Sequence, residues 1–458
     1  MDTPVLSTEL YVIPLEADRY LIYAPLRRAA FVGNAQTVNF LADLKAGSYD
    51  AAADVDGATT AFLSRLEILN AGAETPPLAS TEGIPEPIAV TLFLTTACNL
   101  RCTYCYASAG DHKAGYMPMA VAQRGIDFVI GNAVKRNSGR VEVNYHGGGE
   151  PAMHWRVLTE SCAYARRQAD ERGLTLTTST ATNGVLSERQ TDWIIANIQG
   201  VSLSLDGMPE VQDTHRLTKS GKGSSRQVMR TLRRFDEAKF PYGIRMTVTA
   251  DLIPFLADSV EYICSRFHAQ RIQVEPAYQI GRWAGAPTAE TEAFIAAYRE
   301  AQHRAQQHGA SINYSAARLG ILTNHFCAAT QDAFSLSPAG AVSSCYEVFS
   351  EDNPWEKVFF YGKPDDTTGG YRFDLERLDF LRKQAVQHRE YCRGCFARWT
   401  CAGDCFHKAL TVNNSLEFTG SDRCNITREL TKDLILARIA ESGGLFWHEL
   451  PEGFNKYK

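Results

Sequence analysis

The chain has 458 residues, 45% of them hydrophobic and 22% charged, with a formal net charge of -5. That is the composition of a globular protein of about two to four domains, although an α/β barrel can use roughly 200 to 250 residues as one unit. No apolar run approaches the roughly 20 residues of a membrane span, the acidic start "MDTPVLSTELYVIPLEADRY" lacks the pattern of a secretory signal, and the negative charge argues against nucleic acid as the main partner.

In chain order, "ELYVIPL" and "YLIYAPLRRAAFVG" read as two short strands joined by the polar turn "EADR". Two helical patterns follow, "AQTVNFLADLKAG" and "TTAFLSRLEILNAG", each closed by glycine. Together they form a small N-terminal α+β unit, residues 1–75. The proline-rich "AETPPLASTEGIPEPIA" then reads as a linker over 76–88. From residue 89, short apolar strands alternate with amphipathic helices, the pattern of a parallel α/β array. The strands are "IAVTLFLTT", "VEVNYHGG", "TLTTSTATNG", "GVSLSLDG", "YGIRMTVTA" and "RIQVEPAY". Six units within 89–310 fall short of an eight-stranded barrel, so a partial (β/α)6 TIM-like barrel is expected, with active residues at the carboxyl ends of its strands. "RTLRRF" at 230–235 has helical spacing and reads as a solvated helix face rather than a nucleic-acid patch. Over 311–430 the alternation fades and cysteines concentrate, as in a region held by metal. "ITRELTKDLILARIAESGG" within 431–458 reads as a closing helix and tail.

These features point to a cytoplasmic protein without a membrane partner. The cytosol keeps thiols reduced, so clustered cysteines there bind metal or do chemistry more often than they form disulfides. In "TTACNLRCTYCYASAG", Cys98, Cys102 and Cys105 occupy eight positions of a loop directly after a strand. Zinc prefers four ligands and often pairs two CxxC knuckles, whereas a [4Fe-4S] cube can be held by three cysteines, with the fourth iron open. The spacing favours the cube over a zinc loop. "NYHGGGEP" ends another strand, and its glycines suit a close approach of backbone to ligand. Read alone it is equally an ordinary turn.

The cysteine loop resembles the CxxxCx(aromatic)C signature of radical S-adenosylmethionine (radical SAM) enzymes, with Tyr104 in the aromatic place. The resemblance implies that Cys98, Cys102 and Cys105 ligate a [4Fe-4S] cluster whose unique iron is chelated by S-adenosylmethionine, and that reductive cleavage yields a 5'-deoxyadenosyl radical. Gly148, Gly149 and Glu150 resemble the family's GGEP, implying contact with the methionine amino group. "SLSLDG" and "DTHRLTKSGKGS" resemble segments that meet the cofactor's ribose and carboxylate, implying Ser204 and Arg216 as contacts. An arginine fork suits a carboxylate. Asp206 serves a turn beside Gly207 at least as well as a ligand. "SGKGSS" lacks phosphate-loop spacing.

Downstream, Cys327-x12-Gly340-x4-Cys345 is followed by Cys392-x2-Cys395-x5-Cys401-x3-Cys405 and then Cys424. This spacing is similar to the seven-cysteine SPASM extension of radical SAM enzymes that modify peptides. The resemblance implies two auxiliary iron-sulfur clusters, one on Cys327, Cys345 and Cys405, the other on Cys392, Cys395, Cys401 and Cys424. The first set lacks a fourth cysteine. Cys162 and Cys264 fall on apolar helix faces and read as buried thiols. The N-terminal unit resembles small PqqD-like (winged-helix-like) elements that take a precursor's leader as an added strand, or it is a structural cap.

The expected activity is therefore maturation of a ribosomally made precursor peptide through a thioether or a carbon-carbon or carbon-oxygen crosslink, with an electron donor such as flavodoxin or ferredoxin. A formylglycine-generating sulfatase maturase and a non-catalytic iron-sulfur or zinc scaffold are the alternatives. No motif identifies an acid, base or radical relay. Asp404, Tyr346, Glu347, Glu275 and Tyr278 lie near cluster cysteines or strand ends and are as readily structural.

Overall fold

A computed structural model describes residues 4–48, 57–79, 81–269 and 271–446. Parts of the expected N-terminal unit and the end of the C-terminal tail lie outside these described residues.

The N-terminal unit opens with β1 (Tyr11–Pro14), β2 (Arg19–Ala24) and β3 (Ala29–Asn34), paired antiparallel in sequence. The expected second strand is therefore a hairpin. "PLRR" breaks it, because Pro25 has no amide to give a ladder and Arg28 turns at φ 52, donating its N–H to the Pro25 carbonyl at 3.1 Å. Helix α1 (Ala35–Ala46) starts where the Asn34 side chain caps the Thr37 amide, and it ends at Gly47, whose left-handed φ of 71 suits glycine. Helix α2 (Ala58–Arg65) stops seven residues before the glycine expected to close it, since Glu67 adopts φ 57. Ile22, Phe31, Leu41, Leu63 and Ile68 fill the core between sheet and helices.

The six expected central strands are present. They are β4 (Ala89–Leu92), β5 (Arg140–Tyr145), β6 (Thr175–Thr182), β7 (Gly200–Ser204), β8 (Tyr242–Val248) and β9 (Arg271–Pro276), each parallel to the next. Helices α3 (Met119–Lys135), α4 (Trp155–Asp170), α5 (Glu188–Asn197), α6 (Pro209–His215), α7 (Ser225–Glu237) and α8 (Leu256–Arg266) fill the connections. Alternation along β8 shows how the site is prepared. Tyr242, Ile244, Met246 and Val248 are buried in the core, while Gly243, Arg245 and Thr247 point the other way and are half-buried. Thr91, Asn144, Ser179, Gln273 and Glu275 belong to the same polar face, with Ser179 donating to Asn144 at 2.6 Å.

After helix α9 (Thr291–Gln307), the same sheet continues past residue 310. Strand β10 (Ile312–Asn313) adds parallel to β9, and β11 (Ser335–Leu336) adds parallel to β4 at the other side. An antiparallel meander of β12 (Val342–Ser343), β13 (Phe360–Pro364) and β14 (Tyr371–Phe373) extends it. The eleven strands run β10-β9-β8-β7-β6-β5-β4-β11-β12-β13-β14, an open sheet. The short helices α10 (Glu356–Phe359), α11 (Leu375–Arg382), α12 (Arg398–Cys401) and α13 (Phe406–Asn413) carry the cysteine-rich region into α14 (Asp422–Glu441).

Helix α14 ties the two ends of the chain together. Its Ile435 and Ile439 pack with Leu319 against Leu21, Tyr23 and Ala30 on the outer face of the N-terminal sheet. Strand β15 (Leu445–Phe446) then joins the free edge of β3, leaving β1 as the sheet's other edge.

Candidate functional site

The cysteine loop leaves the carboxyl end of β4 and is pinned from both sides. Thr95 donates its hydroxyl to the Gly115 carbonyl at 2.7 Å, and the Arg101 and Thr103 amides reach the Leu217 and His215 carbonyls at 2.7 and 3.0 Å. Arg282 clamps the loop from below β9, donating to the Cys102 and Ala109 carbonyls at 2.8 and 2.6 Å while paired with Asp111. Gly281 permits this approach, since a Cβ there would lie 2.3 Å from the Cys105 carbonyl.

The glycine run after β5 closes on the same loop. A Cβ on Gly149 would lie 2.1 Å from the Ala97 carbonyl oxygen, so only glycine fits without moving backbone. Gly148 turns at φ 57, and the Glu150 amide donates to the same Ala97 carbonyl at 2.9 Å. Glu150, only 3% exposed, points its carboxylate inward. It accepts from the Asn183 amide at 2.7 Å, the Thr182 hydroxyl at 3.0 Å and the Ala152 amide at 3.1 Å. Burial raises its pKa and these donors oppose the rise.

Cys98, Cys102 and Cys105 act on one another electrostatically, and Glu150 adds its negative charge at Cys98. Burial pushes the Cys98 thiol up to about 12 and the Cys102 thiol to about 11. Bare thiols are costly to ionise here, and a bound cation would reverse that. The Leu100 amide and the Asn183 side-chain amide already point at Cys98 Sγ, at 3.4 and 3.6 Å.

The structure brings Tyr104 and Arg216 together as a positioning pair. The Tyr104 hydroxyl and Arg216 Nε, the latter at 2.9 Å, both donate to Asp206 Oδ2. The guanidinium lies 5.3 Å over the Tyr104 ring with Nη1 3.9 Å from Cys102 Sγ. Asp206 is the hub that sequence reasoning left as a turn residue. Its other oxygen accepts from the Thr247 amide at 2.9 Å, locking β7 to β8 beneath the cysteine loop. Ser204, at the end of β7 opposite Arg245 of β8, joins neither Glu150 nor the cysteines through any hydrogen bond among the described residues.

The C-terminal cysteines separate into two groups in space. Cys327, Cys345 and Cys405 act on one another. Cys392, Cys395, Cys401 and Cys424 line a single pocket with Arg398 and Arg428 at its rim. Cys327 carries exposed surface, while the burial around its sulfur pushes the thiol pKa up. Among the described residues no three His, Cys, Asp or Glu side chains converge on a single-ion site. Spread thiols suit a cluster, where each thiolate meets its own iron. Cys162 is 1% exposed inside the core, and Cys264 packs beside it at half burial.

Aromatic and charged side chains link the radical-motif loop to the first group. Tyr106, next to Cys105, packs edge-on against Phe349 at 6.3 Å, and His146 lies 5.0 Å from Tyr346. Lys408 sits 3.8 Å over the Tyr278 ring. Arg423 pairs with Glu275 at 3.1 Å and Asp404 at 2.5 Å. Tyr278 Oη and His146 Nδ1 are buried without a hydrogen-bond partner among the described residues. All five unassigned candidates, Asp404, Tyr346, Glu347, Glu275 and Tyr278, thus lie in one region.

Residues 92–262 match the Radical SAM superfamily. The chain contains a radical SAM domain. Members of that family use a [4Fe-4S] cluster and S-adenosylmethionine. A cysteine-type anaerobic sulfatase-maturating enzyme of Clostridium perfringens is 30% identical over 34% of this chain and 43% of its own length. The sporulation killing factor maturation protein SkfB of Bacillus subtilis is 25% identical over 43% of this chain and 44% of its own. The chain thus spans less than half the length of these relatives. The solved structure of anSMEcpe with bound AdoMet superposes with a TM-score of 0.63 at 19% identity, covering 78% of this chain and 96% of that one. That likeness establishes the α/β fold with its mainly parallel sheet.

Proposed function

We propose that this protein is a radical SAM peptide maturase with two auxiliary iron-sulfur clusters. It would abstract hydrogen from a ribosomally made precursor and install an intramolecular crosslink, a thioether or a carbon-carbon or carbon-oxygen ring. The observation that carries this reading is the grouping of the cysteines: Cys98, Cys102 and Cys105 in the loop after β4, Cys327, Cys345 and Cys405 in a second group, and Cys392, Cys395, Cys401 and Cys424 around one pocket, with Tyr106 beside Cys105 packed on Phe349 four residues after Cys345.

Cys98, Cys102 and Cys105 would hold a [4Fe-4S] cluster, which when bound would supply the one-electron reduction needed to cleave S-adenosylmethionine. The chain's own residues bind and orient. Gly148 and Gly149 bring backbone against the cysteine loop, and Glu150 offers a fixed carboxylate to the ligand's ammonium. Tyr104, through Asp206, holds Arg216 against Cys102, while Ser204 stands on the neighbouring strand. A flavodoxin or ferredoxin in the cytoplasm would supply electrons. Among the described residues no helix is long and apolar enough to cross a membrane.

We assign residues 1–75 to precursor recognition, 76–88 to a linker, 89–310 to the radical SAM core, 311–430 to a SPASM-type region and 431–458 to the closing helix and tail. Support for the first assignment is the open edge of β1, which can accept an added strand. Coexpression with a candidate precursor tests the function. Loss of two hydrogens by mass spectrometry supports a crosslink, and thiols that resist alkylation identify a thioether. An unmodified precursor overturns the reading. The likeness to sulfatase-maturating enzymes favours a second reading, formylglycine formation on a sulfatase peptide, which the same assay detects as conversion of a cysteine or serine to an aldehyde.

A further inference from the structure

The first auxiliary group has three thiols and no fourth. The other nine cysteines are elsewhere: three in the radical-motif loop, four around the second pocket, and Cys162 and Cys264 in the helical layer. The carboxylate that ties the Cys345 loop to the Cys405 segment is Glu347. It stands two residues after Cys345 in a loop held by the Val348 amide to the Cys345 carbonyl at 3.1 Å, and its own carbonyl accepts from Asn353. Its carboxylate reaches across to the segment that follows Cys405. His407 Nδ1, two residues beyond that cysteine, lies 2.7 Å from Glu347 Oε2, and Lys408 Nζ lies 3.9 Å from Oε1. The carboxylate therefore sits where the Cys345 loop joins the Cys405 turn.

Three features single it out. At each of Cys327, Cys345 and Cys405, Glu347 is the anion felt most strongly, ahead of Asp404 where both act. Asp404 gives one oxygen to Arg423, and its other oxygen is buried without a hydrogen-bond partner among the described residues. The surroundings of Cys345 are otherwise apolar, with Val348, Phe359, Phe360, Leu381 and Phe406 packed around it, so an acidic side chain here needs a counter-charge. Lys408, 10% exposed, supplies it, and His407, 2% exposed, hydrogen-bonds the carboxylate, as outer partners do for ligating carboxylates. Iron-sulfur clusters accept ligands other than thiolate at one or two irons.

The geometry points to Glu347 as the fourth protein ligand of the first auxiliary cluster, completing the set with Cys327, Cys345 and Cys405. This inference rests on the proposal that those three cysteines hold a cluster. A carboxylate binds iron less tightly than thiolate, so the iron held by Glu347 would be the most exchangeable of the four and the one a substrate thiol could reach by displacing Glu347.

The test uses the full chain carrying Cys98→Ala, Cys102→Ala and Cys105→Ala, so that only auxiliary clusters remain after anaerobic reconstitution. This parent should bind about eight irons, two four-iron clusters. Adding Glu347→Gln should lower iron to about seven and produce the electron paramagnetic resonance signal of an oxidised three-iron cluster. Adding Glu347→Cys instead should restore about eight irons and remove that signal. Glu347→Gln with full iron and a spectrum superimposable on the parent overturns the assignment, as does loss of a whole cluster in both Glu347 variants, which marks a structural role. A parent without iron overturns the auxiliary-cluster proposal itself.

Discussion

Replacing Glu150 separates a turn residue from a ligand residue. In Glu150→Ala the buried Asn183 amide and Thr182 hydroxyl lose their acceptor, and two orphaned donors cost about 2 to 5 kcal/mol. Glu150→Gln keeps the shape and one oxygen, so its loss of stability should be less than half as large. Both variants remove the charge. If the carboxylate binds the ammonium of S-adenosylmethionine, a charge-assisted bond of about 1.5 to 3 kcal/mol is lost, and Kd rises roughly 10- to 150-fold. Titration calorimetry on anaerobically reconstituted protein, paired with thermal unfolding, reads both effects. Glu150→Gln should lose nearly as much affinity as Glu150→Ala while keeping most of the stability. A Glu150→Gln protein that binds S-adenosylmethionine within twofold of wild type would refute the ligand role.

Gly149→Ala should cost about 2 to 4 kcal/mol by thermal unfolding, combining overpacking against the Ala97 carbonyl with loss of the Glu150 amide bond to it, while Gly131→Ala, with open space around its Cβ, should cost almost nothing. A Gly149→Ala protein as stable as wild type would contradict the close approach. His146 is held down to about 4 by burial, with Arg245 adding to the effect. Its folded pKa is below the unfolded value of 6.5, so the unfolded chain takes the proton first. The stability tied to the neutral ring is full above pH 6.5 and falls away between 6.5 and 4, by about 3 kcal/mol. Unfolding curves across that window should be flatter for His146→Gln than for wild type, and equal slopes would place the titration elsewhere.

The central sheet was legible because its strands are apolar runs bounded by turn residues and separated by long amphipathic helices such as Met119–Lys135 and Trp155–Asp170. Strands β10 to β12 were not. Each has two residues, too few for a period, and the pairing of β10 with β9 and of β11 with β4 is decided by neighbours more than 30 residues away. The "PLRR" hairpin was hidden by the aromatic and β-branched residues on both sides of it. In the site, cysteine spacing and the GGE run were visible because they are local. The partners that fix the site were not: Asp206 meets Tyr104 across 102 residues, and Glu347 meets His407 across 60. A single sequence carries no signal for such pairs, since each residue alone is an ordinary surface charge until the fold buries it.

Formation of 5'-deoxyadenosine tests the account most directly. Anaerobically reconstituted protein, reduced with dithionite in the presence of S-adenosylmethionine, should release it, and the Cys98→Ala, Cys102→Ala, Cys105→Ala protein should release none while retaining its auxiliary iron. Iron-replete wild-type protein that leaves S-adenosylmethionine intact, or cleavage undiminished in the triple variant, would contradict the assignment of the radical centre.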